Sequence, residues 1–167
     1  MAITKAKKKE IYATLTDVVS KNPSLVFLNF HKLTVANATE VRRTLKANGI
    51  GYFVAKKSLI RKALQDAKVA GEMPALDGEV AVAYSTDLTG PARETYSFQK
   101  KLDGSFTILG GVFEGKFMNK AEMLSIATIP SQKTLYAMFV NVINSPIQGF
   151  VMALDQIAKK KETAPAA

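Results

Sequence analysis

The side chains best placed to do chemistry in this sequence are cations, and they fall into three groups. Lys5, Lys7, Lys8 and Lys9 crowd the first ten residues, His31 and Lys32 follow one short apolar run, and Lys56, Lys57, Arg61 and Lys62 follow another. Amines and guanidiniums gathered in this way suit a polyanion, because each one set against a phosphate releases a condensed counterion. Together the groups would neutralise roughly 5–8 phosphates, which predicts binding that weakens steeply with salt. Ser58 adds a hydroxyl able to reach a phosphate or ribose oxygen. The net charge of +9 is unevenly spread: residues 1–68 hold 14 Lys/Arg against 4 Asp/Glu, and residues 69–167 hold 9 against 10. A field concentrated in one part of a chain points to an anionic partner docking there.

Other chemistries lack their materials. There is no cysteine, which removes disulfides, thiolate nucleophiles and cysteine zinc sites together. The single histidine, His31, reads as a surface or RNA-contacting residue rather than a ligand. Gly49-Ile50-Gly51 lacks the third glycine and the strand-to-helix setting of a dinucleotide site. Asp77, Glu79, Asp87 and Glu94 have no nucleophile or metal set beside them and read as solvated carboxylates. The chain is therefore expected to be a non-enzyme with no metal and no cofactor. No signal-peptide core is visible, and no stretch is expected to approach the roughly 18 apolar residues of a membrane span, so no membrane partner is expected. Tyr52 and Phe53 are adjacent on a strand, so at least one faces a core, and no aromatic pair is visible for stacking single-stranded bases. That favours recognition of folded RNA through its shape and backbone.

Periodicity supplies the elements that must position these groups. Residues 4–21 read as a helix, with Ile11, Leu15, Val18 and Val19 at helical spacing and Asn22-Pro23 as its end. Its early lysines oppose the helix dipole, a local cost that an external anion would offset. Residues 24–30 (SLVFLNF) read as a buried strand. Thr34 caps a helix over 35–47, and residues 50–55 form a second strand, followed by a basic helix over 56–68. A third strand (79–84), a helix (88–102), a fourth strand (106–113) with a Gly110-Gly111 bulge or kink, and a short helix (119–127) complete the series. Two strand–helix–strand halves after an extra N-terminal helix predict an α+β fold, a split βαβ or ferredoxin-like α/β sandwich. A doubly wound parallel sheet is the rival topology. If the first two strands run parallel at one remove, the second and third cation groups emerge at the same sheet edge.

The C-terminal segment is of a different kind. Leu135, Met138, Phe139, Val142, Ile143, Ile147, Phe150, Val151, Leu154 and Ile157 recur in steps of three and four, which makes one apolar stripe. Proline is poorly tolerated inside a helix but suits a first turn behind Asn144 or Ser145. Pro146 is therefore expected to divide the stripe into segments over 133–144 and 146–160. Such a stripe commonly packs on its own domain, but left bare it exceeds the usual apolar patch of a soluble monomer, and its terminal position and bulky residues suit a helix-in-groove partner. The expected organisation is an RNA-binding α/β domain over 1–130, a long protruding helix over 131–161 kinked near Pro146, and a disordered tail over 162–167.

Four stretches, taken in order and spacing, resemble one known family. They are the lysine-rich first helix, Phe30-His31-Lys32-Leu33-Thr34-Val35, Val54-Ala55-Lys56-Lys57-Ser58-Leu59-Ile60-Arg61-Lys62-Ala63, and Leu124-Ser125-Ile126-Ala127-Thr128-Ile129-Pro130 ahead of the long helix. The chain resembles bacterial large-subunit ribosomal protein ten, which forms the base of the ribosomal stalk. The resemblance implies a cytoplasmic protein of the large subunit whose N-terminal domain binds the GTPase-associated region of the ribosomal RNA, near ribosomal protein eleven. It also implies that the C-terminal helix carries dimers of the small acidic stalk protein, which recruit translational GTPases. Carried over, Lys7, Lys8, Lys9, the loop from Lys32 to Thr34, Lys56, Lys57, Ser58 and Arg61 would face RNA. Leu135, Met138, Phe139, Val142, Ile143, Ile147, Phe150, Val151 and Leu154 would face stalk dimers, two of them if each helical segment takes one. Two stretches depart from the family pattern. Lys32 stands where a glycine is common, and Lys56-Lys57-Ser58-Leu59 replaces Lys-Asn-Thr-Leu.

Two rival readings belong to other classes. A ribosome-assembly factor would bind the same RNA region without carrying stalk dimers, and the stripe from Leu135 to Leu154 argues against it. A small RNA-modifying enzyme would need a cofactor loop or catalytic set that the sequence does not offer.

Overall fold

The computed structural model describes residues 4–67, 69–102 and 104–163, with Lys5 and residues 161–163 described in their backbone alone. Along the chain come α1 (Lys5–Lys21), β1 (Ser24–Phe30), α2 (Val35–Ala47), β2 (Gly51–Val54), α3 (Lys57–Asp66) and β3 (Val80–Ser85). Then follow α4 (Gly90–Lys101), β4 (Phe106–Phe113), β5 (Lys116–Met118), α5 (Lys120–Ala127) and α6 (Gln132–Thr163). The chain separates into two compact units, the first ending at Ile129 and the second starting at Pro130.

The first unit is built on a five-stranded sheet of order β2-β3-β1-β4-β5 in which every pairing is antiparallel. Strands β1 and β2, joined through α2, each pair antiparallel with β3. They therefore run parallel to each other with β3 inserted between them. That is the split βαβ arrangement, and it excludes the doubly wound parallel sheet.

Helices cover both faces of the sheet. Leu25 and Phe27 of β1 pack with Leu15 and Val18 of α1 and Ile60 and Leu64 of α3. Val26 and Leu28 point the other way, into a core with Val41, Leu45, Phe98 and Met123 of α2, α4 and α5. A strand buried on both faces has no need to alternate, which is why 24–30 reads as an unbroken apolar run. Each of these side chains contributes about 1.5–3 kcal/mol on burial.

The glycine pair in β4 has the expected consequence. The β1–β4 register shifts between Phe27, opposite Gly110, and Leu28, opposite Ile108, so Leu109 is the extra residue of a β-bulge. A Cβ on Gly111 would stand 2.3 Å from the Leu25 carbonyl oxygen, so the backbones approach more closely than any side chain allows. Strand β5 has no counterpart in the sequence reading, because three residues are too few to show an alternation.

Helix α6 runs 32 residues without a break at Pro146, which corrects the expected division into two helical segments. Proline removes one donor, the one that would meet the Val142 carbonyl, at a cost of about 3 kcal/mol. Continuing the helix keeps all the other bonds on both sides, and that total outweighs the single loss. The helix is roughly 48 Å long at 1.5 Å per residue. It continues through Thr163, into the segment expected to be a tail, while residues 164–167 lie outside the described residues.

By length and composition alone, Gln132–Lys160 also meets the measure of a membrane-crossing helix, with a mean hydropathy of 1.4 in its most apolar window. This corrects the expectation that no stretch approaches a span. Its interruptions are the uncharged Asn141, Asn144, Ser145, Gln148 and Gly149, which break up an apolar run without lowering the mean as charges would.

Candidate functional site

The parallel course of β1 and β2 decides where the cations meet. Asn29 pairs with Val80 and Val54 with Ala81, so both strands end at the edge where β3 begins. The loop bearing His31 and Lys32, and the turn into α3 bearing Lys56 and Lys57, leave the sheet there, to either side of Glu79. The Phe30 N–H donates to the Glu79 carbonyl at 3.1 Å and closes the edge between them. Two adjoining hollows share Phe30, Val54 and Glu79 as walls; Lys32 and Arg42 line one, and Lys56 and Lys57 line the other together with Ile11 of α1.

Helices α1 and α3 bring their starts to the same side. Ile11 lies beside Lys56, Lys57 and Leu59, while Thr16 and Val19 lie beside Asp66 and Val69, so the two helices run in the same direction. Lys7, Lys8 and Lys9 occupy the turns just before Ile11 and are exposed. Neither α1 nor α3 has a side-chain N-cap bond or an acidic residue in its first turn. Helix α5 shows the alternative, a capping box in which Asn119 accepts from the backbone and Glu122 accepts the Asn119 N–H at 2.8 Å. The uncapped starts of α1 and α3 leave the positive ends of two helix dipoles among lysines.

The remaining candidates divide by what they touch. His31, Lys32, Lys56, Lys57, Ser58 and Arg61 are exposed. Among the described residues the ion pairs are Arg93 with Glu94 and Lys159 with Asp155, so none of these cations is committed to an internal carboxylate. Lys62 turns toward α1, its Nζ 5.7 Å from the Tyr12 ring centroid. The Thr34 hydroxyl oxygen accepts the Asn37 N–H at 3.3 Å, so it caps α2 as expected. Lys5 opens α1, and its side chain lies outside the described residues. Lys32 has φ +50°, the left-handed region where glycine is free and other residues are strained. A glycine at this position in the related pattern is thereby explained.

Several site residues escaped the sequence reading. Arg42 sits next to Val41, and a helix read for its buried face hides the neighbour that reaches the sheet edge. Tyr52 and Phe30 lie far apart in sequence and on different strands, yet both line the hollow with Lys32. Burial pushes the Tyr52 phenol above its ordinary value of 10.0, and the nearby Arg42 charge opposes that rise.

The second unit supplies another kind of surface. Along α6 the expected partner-facing residues are all exposed, from 44 % for Leu135 to 70 % for Val142, with Met138, Phe139, Ile143, Ile147, Phe150, Val151 and Leu154 in between. No charged residue occurs from Thr134 to Leu154.

An α/β sandwich with a cationic edge, joined to an apolar helix in a separate unit, is the build of a binding protein. Residues 3–100 match the family model described as ribosomal protein L10, and residues 129–164 match that of the ribosomal protein uL10 C-terminal region. Relatives from Bacillus cereus (strain B4264) and Bacillus anthracis (strain A0248), both named large ribosomal subunit protein uL10, are 33 % identical over 156 residues, 93 % of this chain and of each relative. The chain belongs to the uL10 family and is a structural, non-enzymatic component of the large ribosomal subunit. In bacteria that particle is cytoplasmic.

Proposed function

We propose that the first unit binds large-subunit ribosomal RNA through the cationic sheet edge, and that α6 anchors dimers of the small acidic stalk protein through its apolar stripe. The RNA would be the GTPase-associated region, near ribosomal protein eleven, and two dimers would sit along the helix. In this reading Lys7, Lys8, Lys9, Lys32, Arg42, Lys56, Lys57 and Arg61 meet phosphates, and Leu135 through Leu154 meet the dimers. The observation that carries the reading is the parallel course of β1 and β2, which sets two basic loops and two uncapped helix starts at one edge. The match of residues 129–164 to a ribosomal C-terminal region supports a protein partner for α6 over a lipid one.

The test is the mass of complexes in solution. The full chain and a 1–132 truncation are each mixed with the small acidic stalk protein and measured by light scattering after size exclusion. One chain with four stalk copies, lost on truncation, is the expected result. No complex with the full chain would remove the stalk-anchoring half of the proposal and favour the assembly-factor reading.

A further inference from the structure

Between β2 and the loop from β1 to α2 lies a hollow of about 260 Å³. Its walls bring together Phe30, Lys32, Arg42, Tyr52 and Glu79, residues from four separate stretches of chain. The volume falls just below the roughly 300–1,000 Å³ of drug-sized ligand sites and suits a single flat heterocycle. Two of its walls are half-buried aromatic residues, Phe30 and Tyr52, which pack against the same core cluster and so belong to one face of the sheet. Two others are cations.

Glu79 is the residue that a plain phosphate surface does not explain. A carboxylate among cations weakens attraction for a polyanion, because like charges repel. A carboxylate does, however, accept hydrogen bonds from the N–H groups of a base edge, and unstacked RNA bases are recognised by such contacts together with aromatic walls. Lys32 points to the same hollow from a backbone conformation that a lysine adopts at a cost, at a position where glycine would be free of strain.

We propose that this hollow receives one unstacked guanine of the bound RNA. Phe30 and Tyr52 form its apolar walls, Glu79 accepts from the adjacent N1 and N2 hydrogens, and Lys32 and Arg42 meet the flanking phosphates. The inference rests on the RNA-binding reading above and adds a base-specific contact to it.

The test measures the affinity of the full chain for the large-subunit RNA fragment carrying the GTPase-associated region. Each unpaired nucleotide in turn is made abasic, and the series is run with the native protein and with Glu79→Gln, whose side chain is exposed and can be replaced without disturbing a core. One guanosine is expected to stand out, its removal weakening native binding on the order of ten- to a hundredfold and Glu79→Gln binding far less. Inosine at that site, which lacks the N2 amine, is expected to reproduce part of the loss in the native protein alone. Salt-dependent binding that no abasic position disturbs would overturn the base pocket and leave the phosphate reading standing. A position that matters equally in both proteins would put the base contact elsewhere and overturn it as well. Failure of the native protein to bind the RNA at all would overturn both readings.

Discussion

The Tyr12 hydroxyl on α1 donates to the Asp66 carboxylate on α3, tying together the two helices whose starts frame the cationic edge. This bond holds the Tyr12 phenol above its ordinary value of 10.0, and desolvation and the Asp66 charge act in the same direction. The neutral phenol is the form the fold favours. Its contribution is therefore fully present below pH 10.0 and is lost as pH rises through the higher folded-state value. Urea midpoints followed against pH should fall above that point, and the fall should be smaller in Tyr12→Phe. Tyr52 shifts in the same direction, so part of the alkaline loss should persist in that variant.

Replacing Lys56, Lys57 and Arg61 together with Ala should weaken RNA binding at every sequence position alike. The slope of log affinity against log salt should flatten by about 1 for each phosphate contact removed. Affinity for the stalk protein should not change. Titrations at several salt concentrations check both halves, and an unchanged slope would mean that these side chains do not face the RNA.

Lys32→Gly separates stability from binding. Relief of the left-handed strain is worth about 1–2 kcal/mol, and the greater freedom of glycine in the unfolded chain offsets about 0.5–1 kcal/mol of it. Thermal or urea unfolding should show a chain that is equally or slightly more stable. RNA affinity should drop nonetheless, since a cation at the edge is gone.

Phe139→Asp with Phe150→Asp should abolish stalk-protein binding while leaving RNA affinity intact. Both side chains are 66 % exposed, so unfolding of the first unit should be unaffected. Equal damage to both activities would contradict the division of labour between the two units.

Gly111→Ala forces a methyl group toward the Leu25 carbonyl oxygen and the Met123 side chain. Methionine can move and the β1 backbone cannot without breaking its ladder. A loss of about 1–3 kcal/mol is expected from overpacking of this kind, read as a lower urea midpoint.

Much of this architecture was legible because periodicity and turn chemistry are local. Thr34 capping α2, the end of α1 at Asn22-Pro23 and the bulge at Gly110-Gly111 follow from residues within a few positions of each other. Strand order is not local, and nothing in SLVFLNF says that β3 and β4 flank it. The cation groups could be read from the sequence, whereas their meeting at one edge depends on β3 entering between β1 and β2. Arg42 was not singled out and Glu79 read only as a solvated carboxylate for the same reason, since each becomes significant only beside residues distant in sequence. Pro146 departs in the opposite sense: the local preference of proline for a first turn yields where a long helix tolerates one missing bond.

The sheet is closed at its two edges by its shortest strands, β2 with four residues and β5 with three. Short edges give little template for a neighbouring chain to add itself, so this unit is guarded against strand-mediated aggregation while it waits to be assembled. The same protection does not extend to α6, whose bare apolar surface is the part of a newly made chain that most needs early company. Synthesis of this chain is therefore expected to be safest when whatever covers that surface is made ahead of it or in excess.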